Sequence, residues 1–105
     1  MVDEAAIEEA GKVLSAAAGR GAQVILFGSH AKGSAGPGSD LDLLVIEPEL
    51  ESRNKEFVRL REALGDIGAP VDLIVVSENH VARWGHVRGG VIHQALKEGR
   101  VLTGA

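Results

Sequence analysis

Three short apolar runs separated by stretches of helical periodicity predict an α/β fold, a small sheet covered by helices on at least one face. The runs are Gln23 to Phe27, Leu41 to Ile46 and Val71 to Val76, each of strand length and with glycine, proline or a charged residue at or within two positions of either end. At 105 residues the chain is long enough for one domain with one core, residues 1–105, and too short for an added substrate domain.

The elements follow in order. Asp3 to about Ala18 predicts a helix, with Ile7, Ala10, Val13, Leu14 and Ala17 at helical spacing, Asp3 as the N-cap, and Gly19 and Gly21 ending it. After the first strand, Gly28-Ser29 has the chemistry of a turn into a brief helix with Ser29 as N-cap, and Gly33, Gly36, Pro37 and Gly38 break regular structure beyond it. Pro48 is placed to open a second long helix whose inward face is Leu50, Phe57, Leu60 and Leu64, with Gly65 as its stop. A turn through Gly68 and Pro70 leads to the third strand. The remainder reads as one or two helices interrupted at Gly89-Gly90, packed through Val91, Ile92, Ala95 and Leu96, ended by Gly99 and followed by an edge strand at Val101 to Thr103.

Composition excludes several classes of function. A hydrophobic fraction of 45% is ordinary for a folded domain, and no apolar run approaches the length of a membrane span. The acidic N-terminus does not resemble a secretory signal, so the expected location is the cytoplasm. Without cysteine there are no disulfides, thiolate metal sites or cysteine nucleophiles, which leaves carboxylates and four histidines as metal ligands. A net charge of −4 has the wrong sign for stable binding to a long nucleic acid without help. From Asn79 onward, however, Arg83, Arg88, Lys97 and Arg100 face only Glu98, so this quarter suits a triphosphate, an acidic partner surface or simply solvent.

The aspartates are the residues hardest to explain as scaffold. Asp40 and Asp42 stand at the mouth of an apolar strand, two residues apart and so on one face, with Cα atoms roughly 6–7 Å apart. Carboxylates so placed can converge on metal ions about 3.5–4 Å from each other. Asp72 interrupts a second apolar strand, where an unpaired charge would be costly to bury, and reaches the same place if the two strands pair. Three oxygen ligands, with phosphates completing the shell, suit Mg2+. Gly28-Ser29 adds backbone N–H groups, a hydroxyl and a helix N-terminus facing an anion. Gly28 to Gly33 has the glycine spacing of a P-loop but lacks the Lys-Ser/Thr that should follow. His80, His86 and His93, spaced by six and seven, do not fit a helical two-histidine site and are expected to be exposed. Trp84, near helical spacing with Val81, Val87 and Val91, points to a core or partner contact, and 3% aromatics do not build an RNA-stacking surface.

Gly28-Ser29, ten residues, then Asp40-Leu41-Asp42, with Asp72 in Pro70-Val71-Asp72-Leu73-Ile74, resembles the signature of the minimal nucleotidyltransferases of the polymerase-β-like superfamily. The resemblance covers nearly the whole chain and implies a palm built on a small mixed sheet. It implies that Gly28 and Ser29, with Lys32 and Ser39, hold the phosphates of ATP. Asp40, Asp42 and Asp72 would bind two Mg2+ ions, with Mn2+ as the alternative, and Asp72 would help deprotonate the attacking hydroxyl. Lys32 stands where such proteins often have arginine, giving charge without the bidentate fork. Relatives of this kind commonly pair with a small helical HEPN-type protein, and in toxin–antitoxin versions the nucleotidyltransferase is the antitoxin that transfers AMP to a tyrosine of that partner. Two alternatives stand beside this: a non-catalytic module acting by occlusion, and a transferase acting on a small molecule or an RNA 3′ end.

Overall fold

The computed structural model describes residues 3–36 and 38–103. The expected break at Pro37 lies outside the described residues. Helix α1 spans Glu4–Ala18, β1 Gln23–Phe27, α2 Gly28–Lys32, β2 Leu41–Glu47, α3 Arg53–Leu64, β3 Val71–Ser77, α4 Glu78–Trp84, α5 Val91–Glu98 and β4 Arg100–Thr103. The sheet order is β3-β2-β1-β4, with β2 and β3 parallel and β1 antiparallel to both β2 and β4. This is a mixed sheet, as the resemblance implied.

Strand alternation divides the core in two. Val24, Leu26, Leu41, Leu43, Val45, Leu73 and Val75 face α1 and α3, which contribute Ile7, Ala10, Leu14, Leu60 and Leu64. Ile25, Phe27, Leu44, Ile46 and Val76 face the other way, against Ile92 and Ala95 of α5 and Val81 of α4. Helices therefore cover both faces. Strands buried on both sides need continuous apolar runs instead of alternation, which is why β1 to β3 were legible as blocks of Val, Ile and Leu.

Caps fix the helix starts. Asp3 accepts a hydrogen bond from the Ala6 N–H at 2.9 Å, Ser52 from Lys55 at 3.3 Å and Ser77 from His80 at 3.1 Å. The Ser52 cap corrects the expected start of α3: Pro48 lies in a bend after β2, and the helix begins five residues later. Leu50 consequently packs on the core from a loop, while Phe57 is exposed and only Leu60 and Leu64 are deeply buried. Ser29 is not an N-cap: α2 starts at Gly28, behind Phe27, with no side-chain cap. Val91 and Leu96 are exposed, leaving Ile92 and Ala95 to anchor α5, and Trp84 is not in the core. No helix among the described residues is long and apolar enough to cross a membrane.

Glu47, the last residue of β2, is a charged residue in the core, only 7% exposed. Burial first, then a hydrogen bond to Glu56 and the charge of Glu56, push its carboxyl up from 4.5 to about 8, against an opposing pull from Arg59. Glu56 is held below its ordinary value, first by the hydrogen bonds from Arg59 at 2.9 and 2.6 Å, then by Glu47. Glu47 Oε2 is buried with no hydrogen-bond partner among the described residues, an environment that disfavours the ionised form. A carboxyl raised in the folded state lends stability in full below about pH 4.5, and that stability is lost as pH rises through about 8. Glu47→Gln should therefore stabilise the protein by roughly 1–3 kcal/mol at pH 7 and above, with little change at pH 5. Urea unfolding at pH 5, 7 and 8.5 measures this; a gain that does not grow with pH would contradict it.

Candidate active site

The topology brings three expected site residues to one end of the sheet. Asp42 is the register partner of Asp72 across the parallel β2–β3 pair, and of Phe27, the last residue of β1, on its other side. Partners on adjacent strands stand about 4.8 Å apart with side chains on one face. Gly28 follows Phe27 directly, with φ of 72°, and is packed so tightly that a β-carbon there would collide with Asp42 Oδ2. Asp42, Asp72 and Gly28 thus form one contact region, built by three strand ends.

Asp40 differs from expectation. It precedes β2 and lies in the loop, so strand geometry does not fix it on the face of Asp42. Asp40 and Asp72 are exposed, and Asp42 is half-buried. Asp72 avoids the burial cost that its apolar strand suggested because it sits one residue from the open end of β3. The other two charges still act on Asp42: burial first, then Asp72, then Asp40 raise its carboxyl above its ordinary value, with His30 pulling the other way.

Among the described residues no three or more His, Cys, Asp or Glu side chains stand close enough to hold a metal ion as placed. The donor set nevertheless fits a hard divalent cation: three carboxylates, two of them exposed and without a hydrogen bond or ion pair to a described residue. Their mutual repulsion at Asp42 is what a cation would relieve.

Around them, the Ser29 hydroxyl makes no hydrogen bond to a described residue, and its carbonyl accepts from the Ser34 N–H at 3.0 Å. At five residues α2 is little more than one turn, so individual N–H groups matter here more than a macrodipole. Ser39 accepts a hydrogen bond from the Gly36 N–H at 2.9 Å and returns one through its own N–H to the Gly36 carbonyl at 3.1 Å, closing the loop that leads to Asp40. Lys32 does not point to an empty site: its Nζ pairs with Glu98 Oε2 of α5 at 3.0 Å.

His30 was not singled out in the sequence. Its Nε2 is buried with no hydrogen-bond partner among the described residues, and its charge acts on Asp42. Position was the only available signal, since it directly follows Gly28-Ser29. Of the other histidines, His86 is exposed as expected, but His80 is half-buried, and so is His93, whose Nδ1 lies 3.1 Å from the Gly85 carbonyl oxygen and ties α5 to the end of α4.

Comparison with known proteins bears on the family and the fold. Residues 7–102 match the family model described as nucleotidyltransferase domain. Poly(A) polymerase pla1 of Schizosaccharomyces pombe is 36% identical over 61 residues, which is 58% of this chain and 11% of that protein. A crystal structure of a toxin–antitoxin with AMP-PNP superposes with a TM-score of 0.59 at 22% identity, covering 93% of this chain and 73% of that one. The fold is that of the polymerase-β-like nucleotidyltransferases.

Proposed function

The chain belongs to the nucleotidyltransferase domain family, and from that premise we propose that it moves AMP from ATP to a tyrosine of a small helical HEPN-type partner, as the antitoxin of a toxin–antitoxin pair. The observation that carries the chemistry is the register of Asp42 against Asp72, with Gly28 closed against the Asp42 carboxylate. The match to a toxin–antitoxin with AMP-PNP supports an adenine nucleotide and a protein partner.

Asp40, Asp42 and Asp72 are the residues that would hold two Mg2+ or Mn2+ ions. Such ions, when bound, neutralise phosphate charge at the entering and leaving oxygens. Backbone N–H groups at Gly28 and Ser29, with the Ser29 hydroxyl, bind the terminal phosphates, and Ser39 braces the loop that carries Asp40. Asp72 takes the proton of the attacking tyrosine hydroxyl. Its oxygen bonds to the α-phosphorus as the bond from that phosphorus to the bridging oxygen breaks, and pyrophosphate leaves with the electron pair. The acceptor must lie in trans, because this chain contains no tyrosine.

Incubation with α-labelled ATP and Mg2+, alone and with the product of the neighbouring reading frame, tests the reading. Label should appear only on the partner, at tyrosine; label on this chain alone would contradict it. The likeness to a poly(A) polymerase favours a second reading, an RNA 3′ end as acceptor, and an RNA arm labelled in preference to the partner would establish it. No label with tight complex formation would instead indicate occlusion.

Lys32 has a separate expected effect. Phosphate binding must draw it from Glu98, an exposed pair of small net value, in exchange for a charge-assisted hydrogen bond of roughly 1.5–3 kcal/mol. Lys32→Ala should weaken AMP-PNP binding about tenfold. Unchanged affinity in a calorimetric titration would show that the side chain stays with Glu98.

A further inference from the structure

The unit formed by α4, α5 and the turn between them exposes four large apolar side chains: Trp84 at 50%, Val87 at 42%, Val91 at 44% and Leu96 at 44%. They are held on a tight scaffold. The Val87 N–H donates to the Trp84 carbonyl and the Gly90 N–H to the Val87 carbonyl, both at 3.1 Å, and Leu96 lies over Gly85. The same unit carries a groove of about 600 Å3 lined by Arg88, Gly89, His93, Gln94, Lys97 and Glu98. Its one carboxylate, Glu98, pairs with Lys32 at 3.0 Å and also feels the charge of Lys97, so with Arg88 the groove keeps an excess of positive charge. The chain as a whole is at −4, yet α4, α5 and the turn between them hold Arg83, Arg88 and Lys97 against Glu78 and Glu98. This unit also covers the sheet face that Asp42 and Asp72 share with Leu44, Ile46 and Val76, so whatever docks on it lies on the side of the aspartates.

We propose that the α4–α5 unit is the docking surface for a protein partner that presents apolar side chains within an acidic surface. Tryptophan and arginine are the residue types that dominate binding energy at protein interfaces, and a half-exposed tryptophan, with Val87, Val91 and Leu96 exposed on the same unit, supplies the apolar part. Arg83, Arg88 and Lys97 supply the rim that selects an acidic partner and sets its orientation. A nucleic acid would use the cations but gain nothing from Val87, Val91 and Leu96, and one tryptophan makes no stacking platform. The inference rests on the partner half of the proposed function and not on its chemistry.

Trp84 is the only tryptophan, so its emission reports directly on this surface. The probes are an amphipathic helical peptide of Leu and Glu and its Leu–Lys counterpart, titrated against the wild-type chain and Asp42→Asn. The Leu–Glu peptide should shift Trp84 emission to shorter wavelength, saturably and equally in both proteins, and bind at least about tenfold more tightly than the Leu–Lys peptide. Arg88→Glu combined with Lys97→Glu, at exposed positions whose folding circular dichroism verifies, should abolish that preference. Equal binding of both peptides would overturn the proposal. So would tighter binding of oligouridine that the double variant removes, or a concentration-dependent dimer in sedimentation that buries Trp84. Peptide binding by a wild-type chain that transfers no nucleotide would support this surface while refuting the catalytic reading, which keeps the two failures apart.

Discussion

Asp42→Asn is expected to reduce nucleotide transfer by at least ~10³-fold, about 4 kcal/mol of transition-state stabilisation, while leaving the fold intact. Asp42 joins several parts of the candidate site: it is in register with Asp72, two residues from Asp40, packed against Gly28 and within the field of His30. The substitution keeps shape and removes charge. Without a cation that charge is unfavourable, since burial and two neighbouring carboxylates all raise the Asp42 carboxyl. The variant's melting temperature without metal should therefore equal or exceed that of wild type, more visibly at neutral pH than below the ordinary carboxylate value of 3.8, because the cost exists only where Asp42 is ionised. Loss of both activity and stability would mean that Asp42 is structural.

Gly28→Ala should have the second-largest effect, and a companion variant separates its two causes. Gly28 and Gly33 both lie in the left-handed region, with φ of 72° and 74°. An alanine pays about 1–2 kcal/mol there at either position. The surroundings differ: a β-carbon at Gly33 meets open space, whereas one at Gly28 collides with the Asp42 carboxylate. Gly33→Ala should consequently cost stability with little change in transfer, while Gly28→Ala should cost stability and about 10²-fold in rate, the scale of a misplaced reacting group. Equal rates in the two variants would show that the Gly28–Asp42 contact has no bearing on the chemistry.

How far the sequence could be read depended on whether a feature was local. The Asp3 cap, the blocks that became β1 to β3, the glycine stop after α3 and the edge strand at the end are set by neighbours in the chain, and all were legible. The start of α3 was not, because Pro48 and Ser52 both offer local starts and only the hydrogen bond from Lys55 decides between them. Asp42 and Asp72 were legible as candidates, but their meeting required β2 and β3 to pair in parallel and in register, which spacing alone leaves conditional. Asp40 lay one residue outside the strand that was expected to aim it. His30 and Glu47 passed unnoticed for the same reason: the burial of each depends on chain segments distant in sequence. His30 acquires its setting when α2 folds against β1 and β2, and Glu47 when α3 brings Glu56 and Arg59 over the end of β2. The pairing of Lys32 with Glu98 joins residues 66 apart and has no local signature.

The central claim is that Asp40, Asp42 and Asp72 bind divalent metal jointly with a nucleoside triphosphate, and calorimetric titration with AMP-PNP, with and without Mn2+, tests it most directly. The wild-type chain should bind AMP-PNP saturably only when Mn2+ is present, and Asp42→Asn should lose the metal-dependent part of that binding while melting as a folded protein. Metal-dependent binding of AMP-PNP that survives unchanged in Asp42→Asn would contradict the account.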